Sequence, residues 1–416
     1  MALQPLSILR YMSNTDHSIS VEKEYSRRLN GDSTFKANLF PVLTDKMSRR
    51  KESLPIFFIE ERRLVILSND INNNSRKIDQ LSMRLPGIAK NSYIQSLLTD
   101  EIQYSNEIEG VKTDRKEIGT IVDDLQNNSN PSQRRLVSTV KKYLDILNEP
   151  VIKIRNFSDL RKIYDSLTEG EIPEDKLPDG EYFRNSPVRI GTQTETVHTP
   201  PVDEKKIKEK MYSLIEFMNN EDIPPIEKSL VTHFMFENTH PFNDGNGRMG
   251  RYLLSQYLSK KIDSFTALSI SGAIHENRAK YYKIFKEADK YENGAELTFF
   301  IVEMMKLIIE GQKSVLENMN DLLGALNEYK AQLKSRLSIE DESDTEFKVL
   351  FIFAESKLFS IDSSLGIKDT DLINMLYSED RKKYKKIQTK RIIQKYEDMG
   401  MLKKISGKPL QHEIVL

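Results

Sequence analysis

The chemistry of this chain is concentrated in one string, His240-Pro241-Phe242-Asn243-Asp244-Gly245-Asn246-Gly247-Arg248-Met249-Gly250-Arg251. Gly245 and Gly247 flank Asn246, so the backbone can turn tightly and expose successive N–H groups. An apolar, helix-compatible run, 252–258, follows. That places the turn at a helix N-terminus, where free amides and the macrodipole favour phosphate. Arg248 and Arg251 are three apart and can reach one ligand together. Their guanidinium forks suit phosphate oxygens. Asp244 is a hard oxygen ligand of the kind that Mg²⁺ takes together with substrate phosphates. His240 is the group that can exchange a proton near neutral pH. Together these residues describe a Mg-nucleotide site with a base alongside. Taken singly, each also reads as ordinary loop: His-Pro breaks a helix, Asn-Asp-Gly turns, and Arg solvates.

The whole string resembles the signature of the Fic family, His-Pro-Phe-x-Asp/Glu-Gly-Asn-Gly-Arg-x-x-Arg, with every fixed position present. The lead-in at 232–239 is similar to the family's helix before the loop. A Walker-type phosphate loop is absent, so the nucleotide site is of another design. The resemblance implies transfer of AMP from ATP to a Ser, Thr or Tyr hydroxyl of a protein, with pyrophosphate leaving. It implies that His240 takes the hydroxyl proton and that Asp244 holds Mg²⁺ bridging the α- and β-phosphates. The segment Gly245, Asn246, Gly247, Arg248, Met249, Gly250 and Arg251 would bind the phosphates. Within it, backbone amides and the Asn246 side chain donate, and Arg248 and Arg251 clamp the β- and γ-phosphates. Phe242 would seat the loop in the core.

Three further stretches gain meaning from the same resemblance. Ser105-Asn106-Glu107-Ile108-Glu109-Gly110 alone reads as a helix ending at a glycine. Beside the Fic string it resembles the family's inhibitory motif, Ser/Thr-x-x-x-Glu-Gly/Asn, lying within the N-terminal part. Ser105 opens that motif, and Glu109 would pair with Arg251 and deny it to the γ-phosphate. Residues 178–201 carry two short β-branched runs around turn residues and read as a hairpin. The resemblance makes it the flap that aligns a target peptide by strand addition, through Val188, Arg189, Ile190, Val197 and His198. A hairpin with only a structural job is the other reading, and a lone strand His is more often packed or solvated. Asn277 and Tyr282 border the purine by resemblance, although Tyr281-Tyr282 also reads as core. Asp289 departs from the Asn of some relatives, which leaves the base preference open.

The remaining chain must position these groups. Its 416 residues suggest two or three domains. Mean hydropathy is −0.54 and net charge −1, which exclude a polybasic coat or an acidic tail protein. There is no Cys, hence no thiol chemistry and no Cys-built zinc site. No apolar run approaches a membrane span, and the expectation is a cytoplasmic protein with no membrane partner. The expected fold is mainly α, with three parts. Residues 1–110 form an N-terminal helical region in which 1–53 is partly disordered or an arm packed on the rest. Residues 111–337 form a Fic-type helical core with the β-hairpin flap. Residues 345–416 form a winged helix. Helices are expected from Leu54 to about Leu85, including Phe57 and Phe58, and over 90–104. Thr113 caps the next, a polar loop at 127–134 precedes 133–148, and others cover 157–168, 203–219, 225–238 and 252–260. Leu297 to Leu337 is one or two long helices, and Ser338 to Asp344 an acidic linker. The tail reads as three helices and a hairpin, with Arg381, Lys382, Lys383, Lys385, Lys386, Lys390 and Arg391 approaching the third.

The leading function is a self-inhibited protein adenylyltransferase using ATP and Mg²⁺. Its alternatives are a hydrolase removing AMP at the same site, with Glu109 positioning water, and a DNA-binding regulator whose core only senses nucleotide. The winged helix contacts DNA or protein; a basic run is also compatible with a merely solvated face.

Overall fold

A computed structural model describes residues 3–126, 131, 135–150, 152–191, 196–359, 367–408 and 410–415. It is mainly helical. Spatial proximity divides it into two compact units. One comprises Met1–Ser75, Asp100–Thr113 and Asp124–Gln312; the other comprises Arg76–Thr99, Asp114–Asp123 and Lys313–Leu416. Among the described residues no helix is long and apolar enough to cross a membrane.

The first unit begins with α1 (Leu6–Met12) and α2 (Val21–Leu29), the latter capped by the Ser20 hydroxyl accepting from Lys23 N. Four short strands follow: β1 (Thr34–Lys36), β2 (Leu43–Thr44), β3 (Arg50–Lys51) and β4 (Phe57–Ile59). β1 and β4 pair antiparallel with Phe35 opposite Phe58, and the two rings stack at 5.0 Å. Residues 3–53 therefore pack on the rest of the unit, the second of the two expectations for this segment. Two buried contacts explain this. Arg28 pairs with Glu296 at 2.8 Å, both side chains almost wholly enclosed. The Asn238 amide takes both polar groups of Val42, at 2.8 and 2.9 Å. Phe57 and Phe58 likewise belong to a strand rather than to the helix expected from Leu54. That helix, α3, is Arg62–Ser82.

α4 (Gly87–Ile108) runs further than the sequence pattern implied, to the end of Ile108. α5 (Arg115–Gln126) starts with Lys116 N donating to the Asp114 carboxylate. Thr113 instead bonds the Asn106 amide at 3.0 Å, so Asp114 takes the capping place expected of Thr113. Most of the polar loop expected at 127–134 lies outside the described residues. α6 (Val137–Asn148) and α7 (Phe157–Thr168) follow, the latter held by an Asn156/Asp159 capping box. The expected hairpin is present as β5 (Ile190–Gly191) and β6 (Thr196–His198), with Ile190 opposite His198. Its tip, 192–195, lies outside the described residues.

α8 (Glu204–Met218), α9 (Pro225–Thr239) and α10 (Asn246–Lys261) build the centre of the unit. α9 is buried on nearly all sides, so its side chains read as continuous rather than amphipathic. Short α11 (Ser264–Ala267), α12 (Ile270–Glu276) and α13 (Arg278–Ala288) lead to α14 (Thr298–Leu337), a single continuous helix.

The second unit holds the tail. α15 (Thr345–Phe359), β7 (Ile367–Lys368), α16 (Asp369–Glu379), α17 (Lys386–Asp398), β8 (Leu402–Gly407) and β9 (Leu410–Ile414) enclose one apolar core. The strands order as β7-β9-β8, all antiparallel. β7 escaped the sequence reading because two residues give no alternation to detect. Pro409, in the expected turn of the β8–β9 hairpin, lies outside the described residues.

Candidate active site

His240 ends α9 in the left-handed conformation, φ 49° and ψ 64°. A non-glycine residue pays strain there, and such strain persists where surroundings enforce it. The enforcement comes from Arg184, which is fully buried. Its guanidinium donates to the carbonyls of His240 (2.8 Å), Ser186 (2.8 Å) and Pro201 (2.7 Å), and its own N–H donates to Pro241 O at 2.9 Å. Arg184 is itself placed by the turn at 180–183, whose amides converge on the Glu204 carboxylate at 2.7–3.1 Å. The imidazole of His240 keeps 22% of its surface exposed. Burial, then the neighbouring charges of Arg184 and His198, push its pKa down to about 3, so it is neutral at physiological pH.

The loop after His240 is pinned from below. Phe242 is fully buried and stacks on Tyr164 at 3.7 Å. Both ends of the Asn246 amide are spent on Phe242, accepting from its N–H at 2.9 Å and donating to its carbonyl at 2.8 Å. Gly245 then caps α10 with φ 76°, a conformation that favours glycine. Met249 N is already bonded to Gly245 O, so the free amides of this N-terminus precede it.

The two arginines are both engaged. Arg248 pairs with Glu171 at 2.8 Å, both side chains nearly enclosed, and Glu171 also takes the Thr139 hydroxyl. Arg251 is 1% exposed and donates to Ser105 O (2.7 Å) and Ser105 Oγ (3.0 Å). Its Nη2 also meets Glu109 Oε1 at 3.0 Å. A Cβ on Gly247 would lie only 2.0 Å from that carboxylate, so glycine is what lets Glu109 reach Arg251. The carboxylate of Asp244 is one-third exposed, with Lys176 Nζ at 3.3 Å and Arg248 Nη2 at 3.8 Å. Among the described residues no cluster of three or more acidic or imidazole side chains could cage a metal. A single accessible carboxylate still fits Mg²⁺, which completes its octahedron with waters and substrate phosphates.

A family model for the Fic/DOC family matches residues 155–258, the stretch from just before α7 to near the end of α10. The chain carries a Fic domain. Among curated relatives, a probable protein adenylyltransferase of Aquifex aeolicus is 26% identical over 165 residues, 39% of this chain and 46% of that one. The protein adenylyltransferase fic-1 of Caenorhabditis elegans is 26% identical over 152 residues, 35% of this chain and 28% of that one. The chain thus matches less than half the length of these relatives. A solved Fic family protein from Desulfovibrio desulfuricans is 20% identical with a TM-score of 0.48, over 64% of this chain and 78% of that one. Fic-1 of Caenorhabditis elegans gives 17% and 0.43, over 62% and 74%.

The structure gathers His240, Asp244, Gly245, Gly247, Arg248, Arg251, Ser105 and Glu109 around the start of α10, and it commits several expected ligands elsewhere. The Asn246 amide is held by Phe242 through its oxygen and one of its two N–H donors. Met249 is buried, and its amide is paired. Gly250 faces α9, where a Cβ would lie 2.1 Å from Glu237 Oε1. Asn277 gives its amide to Ala273 O (3.0 Å) and Glu310 (2.9 Å) rather than to open space. His198 turns inward: its Nε2 lies 2.8 Å from Asn238 O and its Nδ1 3.4 Å from Asp289, so it anchors the hairpin instead of facing a target. Arg189 is exposed and Val188 and Ile190 half-buried at the open side of the hairpin, while of Val197 only the backbone strand is described. Tyr282 is 46% exposed, its hydroxyl donating to Ile108 O at 3.1 Å.

Two residues of the Fic domain went unread. Arg184 sits among loop residues in sequence and carries no motif. Glu237, three residues before His240, is enclosed, with Oε2 4.0 Å from His240 Nδ1. Burial, then Glu109, pushes its pKa up to about 8, while Arg251 opposes.

Proposed function

We propose that this protein transfers AMP from ATP to a hydroxyl of a protein target and of itself, and that Glu109 restrains the reaction. The observation that carries the reading is the engagement of Arg251 by Glu109 beside a neutral His240 and a free helix N-terminus. The hydroxyl oxygen attacks the α-phosphorus, the bond to pyrophosphate breaks, and the proton passes to His240. The amides at the start of α10 and the guanidinium of Arg251, once released, hold the leaving phosphates. Asp244 would hold Mg²⁺, which neutralises phosphate charge when bound. The β5–β6 edge would take the target segment by strand addition. A nucleoside triphosphate substrate and a chain without Cys suit the cytoplasm.

A specific observation also favours a second role for the tail. We read its helices and antiparallel hairpin as a winged helix, and Arg381, Lys382, Lys383, Lys385, Lys386, Lys390 and Arg391 are all exposed, with no carboxylate of the described residues within ion-pair distance. That exposed basic run supports contact with a polyanion, duplex DNA first.

Incubation with α-labelled ATP and Mg²⁺ tests the enzymatic reading. Label on protein is expected, increased in Glu109→Gly and decreased by about 10²–10⁴-fold in His240→Ala. EDTA and Asp244→Ala should both lower it. Labelling of His240→Ala equal to the parent would overturn the assignment.

A further inference from the structure

Behind the Fic loop, α8, α9 and α10 enclose a cavity of about 170 Å³ that none of the chemistry above uses. Its floor is His233, Phe236, Gly250 and Leu254, all buried, and its mouth reaches solvent at Lys153, Glu221 and Lys261. An apolar cavity of about 150 Å³ is large enough for a benzene-sized body. The polar lining is what separates this space from a packing defect. Lys228 is 3% exposed, yet its ammonium meets only the Asn220 carbonyl, at 2.6 Å. It stands 5.6 Å from the centre of the Tyr257 ring, and Lys261 Nζ stands 5.8 Å from the same ring. Among the described residues no carboxylate lies within ion-pair distance of Lys153, Lys228 or Lys261, although Glu221 shares the lining. The Tyr257 hydroxyl is buried without a hydrogen-bonding partner. A buried donor left unmade is costly, and so are like charges gathered without an anion. The three ammonium groups against one carboxylate, the idle phenol and the apolar floor thus share one missing complement, an anion with a compact apolar body.

We propose that this cavity binds a small aromatic monocarboxylate of the size of benzoate. Its ring lies against Phe236, Leu253 and Leu254, and its carboxylate lies between Lys228, Lys261 and the Tyr257 hydroxyl. Gly250 and Leu254 of the lining belong to the same helix as Arg248 and Arg251. An occupant therefore touches the element that presents the phosphate-binding groups. A phosphate monoanion has the charge but not the apolar body, and a neutral aromatic has the body but not the charge.

The test is calorimetric titration of the full chain, without nucleotide, with sodium benzoate, benzyl alcohol and inorganic phosphate at fixed ionic strength. Because no nucleotide is present, the result is independent of the adenylyl-transfer reading. Benzoate should bind saturably at one site, with benzyl alcohol and phosphate each weaker by about tenfold or more, the usual worth of a charge-assisted contact. Lys228 is buried, so the exposed Lys261→Met carries the variant test, and it should weaken benzoate by about tenfold while leaving the melting temperature near that of the parent. No saturable benzoate binding, equal binding of benzyl alcohol, or full affinity in Lys261→Met would each overturn the proposal.

Discussion

At the scale of residues, the site is defined by what Arg251 touches. A single buried guanidinium serves Ser105 through two hydrogen bonds and Glu109 through an ion pair. The Ser105 contacts hold the side chain in place, while Glu109, one-third exposed, occupies the face toward the start of α10. Removing Glu109 should therefore free the charge without losing the position of Arg251. A small misplacement of reacting phosphates costs about 10²-fold, so Glu109→Gly should raise self-labelling by roughly that factor. Glu107 is the control. It pairs with His275 at 3.1 Å and takes the Gln103 amide, so it is spent away from Arg251. Glu107→Gln should leave the rate within about twofold, because a contact one-third exposed is worth little. In Arg251→Ala the Glu109 change should give no gain, since the group it restrains is gone. A gain of equal size in the Arg251→Ala background would break the link between the two residues.

At the scale of elements, sequence legibility divides by how local each determinant is. The Fic string, the spans of α7 and α9, and the tail helices follow from spacing and capping, which are properties of neighbours in the chain, whereas α10 starts at Asn246, earlier than the expected 252. Arg184, Glu237 and the fate of Asn246 were not legible, because each is fixed by atoms brought together only by folding. The same applies to the packed N-terminal arm, held by Arg28–Glu296 and Asn238–Val42. Glu101 is another such case. It is fully buried on α4 and accepts from Ser255 Oγ (2.9 Å) and from Ser271 N and Oγ (both 2.7 Å). Burial raises its pKa to about 7 against an ordinary 4.5, and the hydrogen bonds oppose that only in part. A raised carboxyl pKa means that the folded state binds the proton more tightly. Its contribution to stability is full below about 4.5 and is lost as pH rises through about 7. Glu101→Gln lacks that titration. The unfolding free energy of Glu101→Gln relative to the parent, read from denaturant titrations, should shift in favour of the variant between pH 4.5 and 7, by an amount on the order of 3 kcal/mol. Parallel curves across that window would show that Glu101 does not titrate there.

At the scale of the whole molecule, net charge is nearly balanced, so any long-range pull on a polyanion must come from local segregation of charge. The approach to α17 provides it. Seven exposed cations at 381–391 lie there, and none is within ion-pair distance of a carboxylate of the described residues, whereas surface lysines elsewhere, such as Lys208 and Lys306, are paired. If six or seven of them neutralise phosphates, retention on duplex DNA should fall by about 10³-fold or more between 50 and 200 mM salt. Replacing Lys386, Lys390 and Arg391 by Gln in the full chain should reduce the slope of log affinity against log salt by about 2 to 3. The helix itself should survive, since Gln is nearly as good a helix former as Lys and all three side chains are exposed. The same variant should label itself with AMP at the parental rate, because no residue of the Fic site is altered. Retention that ignores salt, or a slope unchanged in the triple variant, would assign the basic run to solvent and leave the tail to protein contact.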